Sequence, residues 1–434
     1  MQYKIFGCKV NKYYADIWLN SGFFEGKKGI FILSCVVTDK AKKKWVKFVI
    51  DTIKKLENDE KVYLSGCGSL DKGKVLESFY DVYKELAPYK DKIEVLAEEP
   101  EKTVISSKVE RSAGELNNEI GENMVISKEQ IPPQRSEGHN SIYTKKFILI
   151  QSGCDSFCSF CLTVQKRGRH FFREKEAIIQ DILDYEKVGG KEVVLTGINL
   201  GAWGLKSTND LSGSKLSELI EAILNETKIR RIRISSLGPE FVDLKLLKLF
   251  ENKRIYPHFH YSLQSGSTKI LKSMNRHYDA DYLKNMLEDT RNIKREDNVE
   301  ISIGADLIIG FPGETIQDFD DTYALVKDYA ITKLHAFTFS PHKYAEDVPA
   351  GKYEGQIDEK TKKERYDKLV KLGDKVRSDF IKSNIGNTFE VLIESVKSGV
   401  FKGWTENYIE VTNDNFEVIS GVVKRNEIVV GRLK

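Results

Sequence analysis

Apolar residues in the first ninety positions fall in short runs, and each run leads into a stretch of mixed character. KIFGC precedes NKYYADIWLNSGF, GIFILSC precedes TDKAKKKWVKFVIDTIKKL, and KVYLSGC precedes LDKGKVLESFYDVYKEL. Continuous apolar runs closed by Gly or Ser read as buried strands, and apolar residues spaced three or four apart read as amphipathic helices. The repeated strand–turn–helix unit predicts an α/β domain built on a doubly wound parallel sheet, over residues 1–115.

From about Glu98 to Asn140 the periodicity disappears. Glu, Ser, Asn and Lys dominate, and Pro132-Pro133 interrupts the chain, so residues 116–140 read as a linker. The rhythm returns at Lys145 in longer units. Strands are predicted at Lys146–Gln151, Glu192–Ile198, Arg231–Ser236, His258–Gln264, Glu300–Ile309 and Lys333–Ser340. Helices at Lys175–Glu186, Lys215–Ile223 and Ala280–Ile293 separate them. Such βα units predict a partial, open (β/α)6 barrel over residues 141–375, with its chemistry at the carboxyl ends of the strands. After a charged helix at Glu359–Lys382 come TFEVLIESV, KGWTENYIEV, NFEVISGVV and NEIVVGRLK. Their alternation predicts a small all-β barrel over residues 376–434.

A chain of 434 residues, 40% hydrophobic and 31% charged, suits two or three globular domains. The net charge of +3 neither demands nor excludes an anionic partner. No apolar run approaches a membrane span, and MQYKIFGCKVN lacks a secretory pattern, so a cytoplasmic location is expected. In a reducing compartment, cysteines serve as ligands or catalysts more often than as disulfides.

That matters because the six cysteines form two sets of three. Cys154, Cys158 and Cys161 make a C-x3-C-x2-C run just after the first predicted barrel strand. Cys8, Cys35 and Cys67 each stand at the carboxyl end of one N-terminal strand, the edge where open parallel sheets bind ligands. Structural zinc usually takes four protein ligands, and no fourth Cys or His completes the run. Three thiolates suit a four-iron cluster with one iron left open. An open iron can chelate S-adenosylmethionine, and an electron from the cluster then cleaves the sulfonium to give a 5′-deoxyadenosyl radical. The bland alternatives are zinc and simple buried thiols.

GCDSFCSFC resembles the radical S-adenosylmethionine signature. LTGIN (Leu195–Asn199), SLQSGS (Ser262–Ser267) and DLIIGFPGE (Asp306–Glu314) resemble its later strand-end motifs. With GCKVN (Gly7–Asn11) and GWTENY (Gly403–Tyr408), the chain resembles the methylthiotransferase family along nearly its whole length. The resemblance implies a second, auxiliary four-iron cluster on Cys8, Cys35 and Cys67 that carries the sulfur to be inserted. It implies cofactor contacts at Phe160, Thr196, Gly197, Asn199, Ser235, Gln264 and Asp306, and no side chain acting as a general acid or base. The terminal barrel resembles the TRAM module. The partners implied are a tRNA anticodon loop, an electron donor and a sulfur source.

Lys9-Val10-Asn11 after Cys8 resembles the branch that converts N6-threonylcarbamoyladenosine in tRNA to its 2-methylthio derivative. Alternatives are the isopentenyladenosine branch, the branch acting on a ribosomal-protein aspartate, and a metal-containing RNA-binding protein without catalysis. Val164, Ser262, Gly68-Ser69 and the SPHKYAEDVPA loop depart from the family pattern. Lys166, Arg167, Arg169 and Arg173, at the mouth of the barrel, are candidates for phosphate contacts, or form a solvated basic loop. The Lys40–Lys47 run reads as a solvent face. Trp404, Tyr408 and Phe416 suit base stacking or a β-barrel core. His258 and His260 share one strand face and point into the barrel or pack structurally.

Overall fold

The computed structural model describes residues 1–36, 38–100, 144–210, 212–342 and 348–434. The predicted linker, 116–140, and the boundaries at 115 and 141 lie outside the described residues.

Strands β1 (Gln2–Ile5), β2 (Gly29–Ser34), β3 (Lys61–Gly66) and β4 (Ile93–Val95) form one parallel sheet in that order. Alternate residues of β2 face opposite ways. Ile30 and Ile32 share a core with Trp45 and Val49 of α2 (Asp39–Ile53). Phe31 and Leu33 share the other with Tyr14 and Trp18 of α1 (Lys9–Asn20). Helices therefore cover both faces. Thr38 caps α2 by accepting from the Ala41 amide at 3.1 Å.

The third expected helix is a correction. Leu70–Asp71 and Lys74–Val75 pair as a hairpin, a short helix spans Phe79–Val82, and a 3-10 segment runs over Lys84–Lys92. Lys72 and Gly73 adopt φ of 46° and 82°, the geometry of a tight hairpin turn. Their amides donate to the carbonyls of Gln165 and Lys166, both at 2.9 Å. Docking against the next domain thus overrides the helical periodicity.

The barrel strands are β5 (Lys146–Ser152), β6 (Glu192–Gly197), β7 (Arg231–Ile234), β8 (His258–Gln264), β9 (Ser302–Ile309) and β10 (Lys333–Thr338). These six run parallel to one another in two sheets, and the short strand Phe171–Phe172 pairs antiparallel with the end of β5. The predicted strand Arg231–Ser236 breaks at Ser235. Beyond the break, Ser236–Leu237 pairs with β8, and the Ile232–Ile255 bridge spans the seam. Ile148, Ile150, Val193 and Leu195 turn outward into the core shared with Ile178, Ile182, Leu219 and Ile220 of helices α3 (Lys175–Lys187) and α4 (Leu216–Glu226). Phe147, Leu149 and Val194 turn inward and pack with Val10, Tyr13 and Tyr14. Helix α1 therefore lies in the concave side of the open barrel. Helices α5 (Ala280–Arg291) and α6 (Ile316–Asp328) cover β8 to β10; α6 begins with a Thr315–Asp318 capping box.

The long helix α7 (Glu359–Ser383) places Leu369 and Leu372 in the barrel core and Phe380 in the next one, so the predicted boundary at 376 falls within a continuous helix. After it come β11 (Thr388–Lys397), β12 (Val400–Trp404), β13 (Glu410–Thr412), β14 (Phe416–Ser420) and β15 (Ile428–Leu433). They form an antiparallel sheet in the order β13-β12-β11-β15-β14, curled as a half-barrel. Phe416 is buried in its core, and half-buried Tyr408 stacks on His258 at 4.4 Å, so one face of its ring is already taken. A buried ion cluster docks this module. Glu192 accepts from Arg231 and Arg233, each at 2.8 Å, and Arg233 also reaches the carbonyls of Thr405 and Glu406. Burial alone would push the Glu192 carboxyl up; the two guanidinium groups outweigh it and hold it at about 2. Among the described residues, no helix is long and apolar enough to cross a membrane.

Candidate functional site

The C-x3-C-x2-C loop leaves the end of β5 through Gly153. This residue has φ of +67°, and a Cβ there would stand 1.7 Å from the Arg169 carbonyl, so only glycine fits. The loop is fixed from two sides. Thr208, beyond β6, accepts from the Asp155 amide (2.8 Å) and the Ser156 hydroxyl (2.9 Å), and its hydroxyl lies 3.8 Å from Cys154 Sγ. Beyond β8, the Asn275 amide donates to the carbonyls of Ser156 and Phe157, and the Met274 carbonyl accepts from the Ser159 amide.

The last two thiols of this run each have a side-chain donor. Arg276 donates to Cys158 Sγ at 3.2 Å, and the Thr163 hydroxyl to Cys161 Sγ at 3.0 Å. Burial pushes the Cys158 thiol up, with Arg276 pulling the other way. Burial, then the charge of Cys158, pushes Cys161 up to about 12. Thiols that raise one another in this way are close neighbours, and metal binding would relieve the cost by deprotonating them.

At the rim, Thr196 ends β6 and Ser235 follows β7 at the same level. Both are buried, and both hydroxyls lack a partner. Unpaired buried hydroxyls are costly unless a ligand satisfies them, so they fit a polar cofactor at the strand ends. The amide of Asn199 donates to Gln151 Oε1 at 2.7 Å, and Gly197 lies against the Gln151 carbonyl. Gln264 turns off β8 at φ of 66°. Phe160 joins the small core that also receives Cys67 and Leu162. Asp306 lies deeper, one residue before the Leu307–Gln264 register pair. It accepts from His260 at 3.0 Å and His335 at 3.3 Å. Burial opposes its charge, but the two histidines outweigh that and hold it well below the usual carboxylate range.

The three N-terminal cysteines stand at the same end of the first sheet, Cys35 and Cys67 just past β2 and β3 and Cys8 just before α1. A Cβ on Gly7, next to Cys8 in the chain, would stand 3.2 Å from Cys35 Sγ. Arg167, from the short helix Thr163–Arg167 behind the barrel cysteines, donates to Cys67 Sγ at 3.1 Å and to Asn11 Oδ1 at 2.8 Å. Its guanidinium also pairs with Glu98. The short helix that follows the barrel cysteines thus carries a buried cation that reaches Cys67.

Of the four basic residues assigned to phosphate, only Arg169 is exposed. Lys166, Arg167 and Arg173 are buried, and Arg173 pairs with Asp181 at 2.8 Å. Arg167 and Arg173 thus have their charges committed to Glu98 and Asp181, which corrects the phosphate-contact expectation for these two. Sequence reading missed Arg276, 118 residues from the thiol it meets, because no local pattern marks it.

Residues 148–326 match the radical SAM superfamily. The threonylcarbamoyladenosine tRNA methylthiotransferase MtaB of Thermotoga maritima is 32% identical over 423 residues, covering 93% of this chain and 89% of that protein. The protein of the same name from Rickettsia prowazekii is 28% identical, with 96% and 92% covered. The tRNA-2-methylthio-N(6)-dimethylallyladenosine synthase of Pelotomaculum thermopropionicum is 27% identical, with 91% and 86% covered. With its cysteine loop at the barrel rim and this likeness along the whole chain, the protein belongs to the radical S-adenosylmethionine methylthiotransferase family.

Proposed function

We propose that the chain converts N6-threonylcarbamoyladenosine in the tRNA anticodon loop to its 2-methylthio derivative. The barrel cluster is assigned to Cys154, Cys158 and Cys161, and an auxiliary cluster to Cys8, Cys35 and Cys67. The observation that carries this reading is Arg167, a buried cation that follows the barrel cysteine loop by one short helix and donates to Cys67. The finer choice of base is supported by Lys9-Val10-Asn11 after Cys8.

When bound, the clusters and S-adenosylmethionine supply reductive sulfonium cleavage and the sulfur for a new carbon–sulfur bond. The chain's own residues hold and enclose. Arg276 and Arg167 offset thiolate charge inside a low-dielectric site. Thr196 and Ser235 offer hydroxyls to the cofactor's polar groups, and Phe160 and Asn199 flank them. Helix α1 fills the concave side of the barrel and excludes water from the target base. Residues 1–115 form the auxiliary-cluster domain, 141–375 the radical core and 376–434 the RNA-holding module. An electron donor and a sulfur source complete the system.

Anaerobic reconstitution of the full chain tests this. The expected product is the 2-methylthio nucleoside in tRNA, identified by mass spectrometry, with 5′-deoxyadenosine alongside. Cys158→Ala should abolish cleavage of S-adenosylmethionine. Cys35→Ala should keep some cleavage and stop thiolation; thiolation by that variant would refute the sulfur-donating role.

A further inference from the structure

Helix α1 starts at Cys8, and its first residue, Lys9, lies in the concave side of the barrel. The charged neighbours of the Lys9 ammonium are Lys145, Arg233, Lys12 and Lys333, all positive. The charge of Lys9 also reaches His258 and His260 on β8. Lys333, at the start of β10, lies 3.8 Å from the Tyr408 ring centroid and 4.9 Å from that of Trp404.

The anions facing this well are already matched. Glu394 pairs with Lys145 at 2.5 Å, Glu192 with Arg233 at 2.8 Å, and Glu410 with Lys402 at 2.7 Å. Asp306 is held by His260 and His335. Among the described residues, Lys9 and Lys333 make no ion pair and no hydrogen bond. Two half-buried amino groups are therefore left over in a positive field, and charge there is costly without an anion. The positive end of α1 adds to the field, with no acidic residue in its first turn. The same field argues against a metal ion at the His260–Asp306–His335 group, whose imidazoles already serve the carboxylate.

We propose that Lys9 and Lys333 bind the carboxylate of an acyl-type N6 substituent on the target adenine and so set which modified base is accepted. This rests on the tRNA reading above. A threonylcarbamoyl group ends in a free carboxylate, which answers two unpaired ammonium groups. A dimethylallyl group carries no charge and would leave both buried and unmatched. The well therefore selects by attraction to one substituent and by an unpaired-charge penalty against the other.

The test uses the full chain with reconstituted clusters and two synthetic anticodon stem-loops. They differ only in whether the threonylcarbamoyl carboxylate is free or converted to its primary amide. Fluorescence anisotropy should show the free acid bound about tenfold tighter or more by the parent protein, the scale of a charge-assisted contact. Lys9→Gln and Lys333→Met should each bring that ratio close to one, and Lys333→Arg should keep most of it. The ratio is taken within one protein, so a general loss of affinity does not mimic the effect. Should one variant fail to fold, the other carries the comparison. Equal binding of acid and amide by the parent, or a preserved preference in the folded variants, would overturn the proposal. A parent that shows the preference yet methylthiolates neither stem-loop would refute the activity and leave the recognition standing.

Discussion

Arg167→Met removes the buried cation beside Cys67 while keeping most of the side-chain volume. The guanidinium side chain is 1% exposed. It donates to Asn11 Oδ1 at 2.8 Å and Cys67 Sγ at 3.1 Å, and pairs with Glu98, itself 13% exposed. Hydrogen bonds to a charged group are worth about 1.5–3 kcal/mol each, and breaking a buried ion pair from one side costs about 3–5 kcal/mol. These contributions share one guanidinium and do not add, so the expected loss is about 3–5 kcal/mol in all. Part of it is the stranded Glu98 carboxylate. Adding Glu98→Gln to Arg167→Met should therefore return about 1–2 kcal/mol. Urea unfolding of the full chain, followed by tryptophan fluorescence, measures this. Trp18 reports on the region directly, because its indole donates to the Glu98 carbonyl at 3.1 Å. After anaerobic reconstitution, Arg167→Met should also lose iron relative to the parent. A loss below about 1 kcal/mol, or further destabilisation on adding Glu98→Gln, would refute the reasoning.

Gly153→Ala forces a Cβ against the Arg169 carbonyl at φ of +67°, so it should cost about 1–3 kcal/mol or more and lower the iron bound by the barrel loop, read by absorbance and iron assay. Thr196→Val and Ser235→Ala each remove a buried hydroxyl without a partner. Each should leave thermal stability equal or higher by about 1 kcal/mol, yet weaken S-adenosylmethionine binding in equilibrium dialysis. Burial pushes the Glu406 carboxyl up to about 7, with Arg231 pulling the other way. The folded state then holds a proton that the unfolded chain releases near pH 4.3, so stability should fall as pH rises from about 4.3 towards 7. Glu406→Gln should flatten that slope in urea midpoints taken at several pH values.

Most barrel strands were legible because they are short apolar runs with both faces covered, and such runs keep their identity wherever the chain is read. Predicted and observed His258–Gln264 agree at both ends. The segment after Cys67 was not legible as folded. Its spacing suits a helix, but the Lys72-Gly73 turn docks on Gln165 and Lys166 from another domain. Local pattern carries no knowledge of that partner. The basic residues behind the barrel cysteines show the same gap. A run of Lys and Arg looks solvated until Glu98 and Asp181 arrive from elsewhere in the chain to bury Arg167 and Arg173.

By itself the sequence determined the order of α/β and all-β elements and the two cysteine sets, since period and spacing are local properties of a chain. Tertiary structure alone decided that α1 enters the open barrel, that Arg276 and Arg167 meet the thiols, and that Lys9 and Lys333 share a well without an anion. Those facts depend on side chains brought together across tens or hundreds of residues, where burial and charge pairing act on distance in space and not on separation along the chain.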